Sequence, residues 1–193
     1  MGTTPWDSAP TAILGSGAAR SALLRLWLGC LLLGLGMQPY AVAADGWAHV
    51  TDGTVVLFRH ALAPGGGDPA GFTLDDCSTQ RNLNSEGRAQ ARRIGTEFAA
   101  RAVHVAAVWS SQWCRARETA DLAFPVRRVD HPAFNSFFSV PSSAHAQTLA
   151  AQKLLQGWSG PGVLVVFTHQ VNITALTNMV PASGGGIVVK PNA

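Results

Sequence analysis

The stretch Thr54-Val55-Val56-Leu57-Phe58-Arg59-His60-Ala61 decides the fold. Four consecutive apolar residues, bounded before by Gly53 and after by Pro64-Gly65-Gly66-Gly67, predict a short strand covered on both faces, because a half-exposed strand would alternate instead. A strand covered on both faces belongs to an α/β sheet, and such sheets bind ligands in the crevice beyond the carboxyl ends of their strands. Arg59 and His60 leave this strand side by side, putting a guanidinium next to an imidazole at that edge. An Arg-His pair is ordinarily solvated surface, so its weight depends on what the other strands deliver.

The chain has 193 residues, 47% of them hydrophobic and 13% charged, which allows one globular domain with a sizeable core and excludes a disordered chain. Part of that hydrophobicity lies in a leader. Arg20 and Arg25 precede an apolar run over 26–37 that is short for a membrane span, and small residues stand at Ala41 and Ala43. We expect a signal peptide over 1–43, cut after Ala43, and a single domain over 44–193; a membrane anchor is the alternative. Export would place the domain in the periplasm or outside the cell, without stable membrane insertion after cleavage. Removal of the leader takes Cys30 with it and leaves Cys77 and Cys114, a pair that suggests one disulfide in an exported protein, with two buried thiols as the alternative. A net charge of +3 with dispersed Lys and Arg gives no footprint for nucleic acid. No repeat, heptad or metal-ligand spacing is present, so neither a metal nor another cofactor is expected.

Beyond the first strand, residues 61–80 read as a loop broken by Pro64, Asp68-Pro69 and Asp75-Asp76; the last pair is a solvated turn or a substrate contact. Asn84 is a fitting N-cap for a helix with Ala91, Ile94 and Phe98 inward. Strands follow over 103–109 and 124–129, separated by a helix over 113–122, and a further helix over 144–157 turns Leu149, Leu154 and Leu155 inward. Val163-Leu164-Val165-Val166-Phe167 then repeats the opening pattern and ends in Thr168-His169. A helix over 172–179 and a strand over 187–190 complete an alternating order, hence an α/β three-layer sandwich with a mostly parallel central sheet.

The motifs in order are Arg59-His60-Ala61, Leu83-Asn84-Ser85-Glu86-Gly87-Arg88, Ser110-Ser111 with Arg115-Ala116-Arg117-Glu118-Thr119-Ala120, and Thr168-His169. This set resembles the histidine phosphatase superfamily, the phosphoglycerate-mutase-like fold, over nearly all of 44–193. Asp76-Cys77, Trp113-Cys114-Arg115, Asn135-Ser136-Phe137-Phe138 and His169-Gln170-Val171-Asn172 look like its exported bacterial branch, which includes lipopolysaccharide-core phosphatases. The resemblance implies a metal-independent phosphomonoesterase of the histidine acid phosphatase type, acting on a small phosphorylated substrate such as a phosphosugar of the cell envelope. His60 would be the nucleophile that forms a phosphohistidine, with Arg59, Arg115 and His169 as a phosphate clamp and Arg81 and Asn135 binding substrate. Singly, Arg115 could be an exposed helix residue and His169 a satisfied core histidine.

Two departures bear on mechanism. Ala61 stands where the family usually has glycine, and Phe134-Asn135-Ser136 carries no carboxylate where the family usually has its general acid. Without a proton donor the rate should depend steeply on the leaving group, unless Asp75, Asp76 or His131 swings in. A catalytically decayed phosphoester-binding protein is the alternative to an enzyme. A mutase fits an exported chain poorly, and a serine hydrolase fails because Pro161 stands where a nucleophile elbow around Ser159 needs glycine.

Overall fold

The computed structural model describes residues 11–13, 46–126 and 128–191. Six strands form one sheet: β1 (Thr11–Ile13), β2 (Val55–Arg59), β3 (Val105–Ser110), β4 (Arg128–Asp130), β5 (Val163–Thr168) and β6 (Gly186–Val189), in the order β1-β6-β2-β5-β3-β4. The β2/β5, β5/β3 and β3/β4 pairs are parallel, while β6 runs antiparallel to both β2 and β1. The mostly parallel α/β sheet expected from the alternating pattern is therefore the observed one. Apart from Thr11–Ile13, which pairs with β6, the expected signal peptide lies outside the described residues.

β2 and β5 are buried on both faces, and alternation decides which layer a residue joins. Val56 and Phe58 of β2 pack with Val165 and Phe167 of β5 against Ile94 and Phe98 of α1 (Ser85–Ala100) and Ala116 and Ala120 of α2 (Cys114–Ala123). Val55 and Leu57 turn the other way, with Leu164 and Val166, onto Ala151 and Leu155 of α3 (Ala144–Gln156) and Ile173 and Leu176 of α4 (Gln170–Thr177). Those are the three layers, and each fully buried Val, Leu or Phe contributes roughly 1.5–3 kcal/mol relative to exposure.

Three local expectations are corrected. Leu149 is 52% exposed, because the buried face of α3 is Ala151 and Leu155, four residues apart, and Leu149 stands about 120–160° around the helix from that stripe. β4 begins at Arg128 rather than near residue 124, since the Phe124 amide still closes the last turn of α2 on the Ala120 carbonyl and Pro125 has no amide to give a ladder. α4 starts at Gln170, directly after His169, and ends at Asn178 in the left-handed region with φ of 59°.

The N-terminus of α1 is fixed as expected. The Asn84 side chain accepts the Gly87 amide at 2.8 Å. Gly87 itself is required by close approach: a Cβ there would lie 2.1 Å from the Leu62 carbonyl oxygen, so α1 sits directly on the loop that leaves β2.

Candidate active site

Parallel pairing of β2, β5 and β3 is what gathers the site. Arg59 is in register with Thr168, and the His60 amide bonds to the Thr168 carbonyl at 2.9 Å. Ser111 is tied to Phe167 in the same way, its amide 2.8 Å from that carbonyl. His60, His169 and Ser111, each one residue past its strand, therefore meet at one sheet edge. α2 begins three residues after Ser111 and brings Arg115 onto the same spot.

His60 is 2% exposed, and its Nδ1 lies 2.8 Å from the Ala61 carbonyl oxygen. A carbonyl only accepts, so Nδ1 carries the proton and Nε2 is left with a lone pair. The Arg115 Nε–H is directed at that Nε2 from 3.3 Å. Burial first, then the Arg115 guanidinium, push the imidazole down to about 3, so it is neutral across the physiological range. Ala61, in place of glycine, costs nothing here: its backbone is not in the left-handed region, and its amide donates to Thr119 Oγ1 at 3.0 Å, whose hydroxyl in turn donates to the Arg115 carbonyl at 2.6 Å.

Arg115 is 3% exposed. Its NH1 and NH2 grip the two carboxylate oxygens of Asp68 at 2.7 and 3.2 Å. His169, 3% exposed, stands with its ring 5.4 Å from that of His60 and its Nε2 2.8 Å from Ser111 Oγ. Burial, with His60 and the arginines adding to it, holds His169 well below the ordinary imidazole range. His60, Asp68, Arg115 and His169 line a cavity of about 170 Å³ together with Arg59 and Arg81. Arg59 donates to the Pro181 carbonyl and Arg81 to the Ala63 carbonyl, but the Nε of each is buried with no hydrogen-bond partner. Three guanidiniums against one carboxylate, with both histidines neutral, leave the cavity with an excess of two positive charges. Such a cavity favours a dianion. Among the described residues no cluster of three or more His, Cys, Asp or Glu is arranged to hold a metal.

Of the residues expected from sequence, Arg59, His60, Arg81, Arg115 and His169 all reach this cavity. Asn135 does not. Its Oδ1 accepts the Gln112 amide at 2.9 Å and its Nδ2 donates to Gln112 Oε1 at 2.8 Å, so it braces the two loops behind the wall that Ser136 and Phe138 form. Asp75 and Asp76 do not line the cavity; Asp76 instead caps a 3₁₀ turn through Ser78. His131 packs its ring 4.7 Å from that of Trp109, away from the cavity.

The Cys77–Cys114 disulfide is present and ties the long loop to the first residue of α2, beside Arg115. Gln80 reinforces the tie, accepting the Cys114 amide and donating to the Thr73 carbonyl. The sequence motifs give no individual role to Asp68, Ser111 or Thr119. Asp68 had one available signal: it is the first carboxylate after the strand that carries His60.

Residues 55–132, from β2 through the residue after His131, match the family described as Histidine phosphatase superfamily (branch 1). Solved structures share the fold. A phosphoserine phosphatase from Entamoeba histolytica in complex with 3-phosphoglyceric acid is 13% identical, with 70% of this chain and 89% of that chain covered and a TM-score of 0.52. The product of an open reading frame of Mycobacterium tuberculosis is 18% identical over 69% of this chain and 89% of that one, with a TM-score of 0.51. A point variant of a Thermus thermophilus protein is 20% identical over 70% and 92%, with a TM-score of 0.50. Among curated proteins no match is found. The chain is thus similar to that family over 55–132 and shares its fold with these solved structures.

Proposed function

We propose that the protein is a metal-independent phosphomonoesterase that works through a phosphohistidine on His60. One observation carries this: a buried imidazole held neutral, its unprotonated Nε2 turned to the Arg115 Nε–H at the wall of a cavity that Arg59 and Arg81 also line. Nε2 attacks phosphorus as the bond to the leaving oxygen breaks, and the equatorial oxygens are neutralised by Arg59, Arg81 and Arg115. Three fixed cations supply the charge that other phosphoryl-transfer sites draw from magnesium. His169 donates its ring N–H to a further oxygen. Water then attacks the phosphohistidine, releasing phosphate and returning His60 to its starting state.

The substrate class is a small phosphomonoester, such as a phosphosugar of the cell envelope. The Entamoeba relative's bound 3-phosphoglyceric acid is consistent with a small phosphorylated ligand in this fold. Export to the periplasm or beyond, through the leader over 1–43, agrees with a disulfide, which persists in oxidising compartments. A phosphate-release screen over phosphosugars, nucleotides and aryl phosphates, run in chelator, tests the proposal. Turnover is the expected result. Tight phosphate binding without turnover on any substrate would favour a decayed phosphoester-binding protein instead.

A further inference from the structure

We propose that Asp68 is the proton donor to the leaving group, parked in the free protein on the guanidinium that the substrate's phosphoryl group takes over. The inference rests on the phosphomonoesterase function proposed above and supplies the acid that residues 134–136 lack.

Among the described residues Asp68 is the one carboxylate lining the cavity. Its side chain is 7% exposed, and four N–H groups converge on it: Arg115 NH1 at 2.7 Å and NH2 at 3.2 Å, Trp113 Nε1 at 3.0 Å and the Arg81 amide at 3.1 Å. The same Arg115 guanidinium points its Nε at His60 Nε2. A phosphorus under attack by Nε2 has to approach within about 3–3.5 Å of it, which brings the phosphoryl oxygens onto the Arg115 fork. A carboxylate and a phosphoryl group offer that fork the same pair of oxygens, so Asp68 holds the place until substrate arrives.

The displaced carboxyl stays beside the reacting group. Trp113 Nε1 and the Arg81 amide are separate from the contested fork, and either one can keep an oxygen of the displaced carboxyl near the cavity while the other oxygen turns to the leaving group. Asp68 follows Gly65-Gly66-Gly67, of which Gly65 and Gly67 have φ of 101° and 157°, and the space around Gly66 and Gly67 is open. That segment can re-aim the side chain without moving β2. Displacement also reverses the local charge. On Arg115, burial raises the Asp68 carboxyl, but the hydrogen bonds and charge of Arg115 outweigh it and hold the group below the usual carboxylate range. Off Arg115, with fewer N–H groups on it and against a phosphate dianion, the carboxylate takes up a proton from solvent as substrate binds.

The step balances as follows. His60 Nε2 forms a bond to phosphorus, the bond from phosphorus to the leaving oxygen breaks, and the Asp68 carboxyl proton passes to that oxygen, giving a free alcohol, phosphohistidine and the Asp68 carboxylate. In the second step water attacks phosphorus and gives a proton back to Asp68, releasing phosphate and neutral His60. A donor of this kind is typically worth about 10²–10⁴ in rate when the leaving group is basic.

The test measures phosphoenzyme formation in single turnovers across aryl and alkyl phosphates, for the wild-type protein and for Asp68→Asn. A shallow dependence on leaving-group pKa is expected for the wild type. In Asp68→Asn the alkyl phosphates should slow by about 10²–10⁴ and 4-nitrophenyl phosphate far less, with a burst of nitrophenolate ahead of slow hydrolysis of the phosphoenzyme. A steep wild-type dependence, or an equal loss in the variant on every leaving group, overturns the assignment. Asp68→Ser serves if the amide disturbs the loop, and the wild-type slope decides the matter if neither variant folds. If the wild type forms no phosphoenzyme with any substrate, the phosphomonoesterase function fails first, and this donor with it.

Discussion

Breaking the Cys77–Cys114 link should lower both stability and site order, and the structure gives the size of the first effect. The two cysteines are 37 residues apart. In the loop-entropy relation a closed loop of that length restricts the unfolded chain by about 4 kcal/mol. For a domain of this size each kcal/mol moves the melting midpoint by roughly 2–4 °C, so the midpoint should fall by about 8–16 °C. The bridge also anchors the segment carrying Asp68 and Arg81 to the first turn of α2, where Arg115 is, so the double variant Cys77→Ser/Cys114→Ser should bind phosphate more weakly even well below its melting point. Calorimetry of the oxidised protein, the reduced protein and the double variant reads the first effect, and titration with inorganic phosphate the second. Coincident melting curves for the oxidised and reduced forms would refute the idea that this bridge restrains the unfolded chain.

Three further outcomes are expected. Gly87→Ala should destabilise by roughly 1–3 kcal/mol, read from denaturant midpoints, because its methyl would be driven 2.1 Å from the Leu62 carbonyl and α1 must shift off the catalytic loop. Arg115→Lys should cost about 10²–10³ in kcat/KM in steady-state assays, since an ammonium keeps the charge but loses both the fork on phosphate and the contact to His60 Nε2. His60 is held neutral down to about pH 3 while an unfolded histidine takes a proton near 6.5, so between those values the unfolded state binds the extra proton and stability drops as pH falls. His60→Gln should flatten that part of the stability-against-pH curve by close to one proton, measured by urea unfolding from pH 7 to pH 4.

Continuous apolar runs made the fold readable. Val55-Val56-Leu57-Phe58 and Val163-Leu164-Val165-Val166-Phe167 read as strands covered on both faces, and the parallel pairing of the two brings the histidines that follow them together. Arg115 was placed for a similar reason: a helix starting just past a strand end points its first turn at the same crevice. Loops carry no such period. Asp68 and the exposed pair Asp75-Asp76 look alike in sequence, and what separates them is where three glycines and Pro69 send the chain, together with the disulfide and Gln80 that hold the loop down. Asn135 was drawn to the site by its motif, whereas its amide is spent on Gln112. Leu149 is apolar but out of phase with the buried stripe of α3, and in a helix phase decides burial.

The phosphohistidine is the centre of this account, and trapping it is the most direct measurement. The protein, mixed with a ³²P-labelled phosphomonoester and quenched in base within the first turnover, should carry acid-labile, base-stable label, and peptide mapping should place it on His60. His60→Ala, folded by circular dichroism, should carry none and release no phosphate. Label on any other residue, or turnover that survives in His60→Ala, would contradict the account.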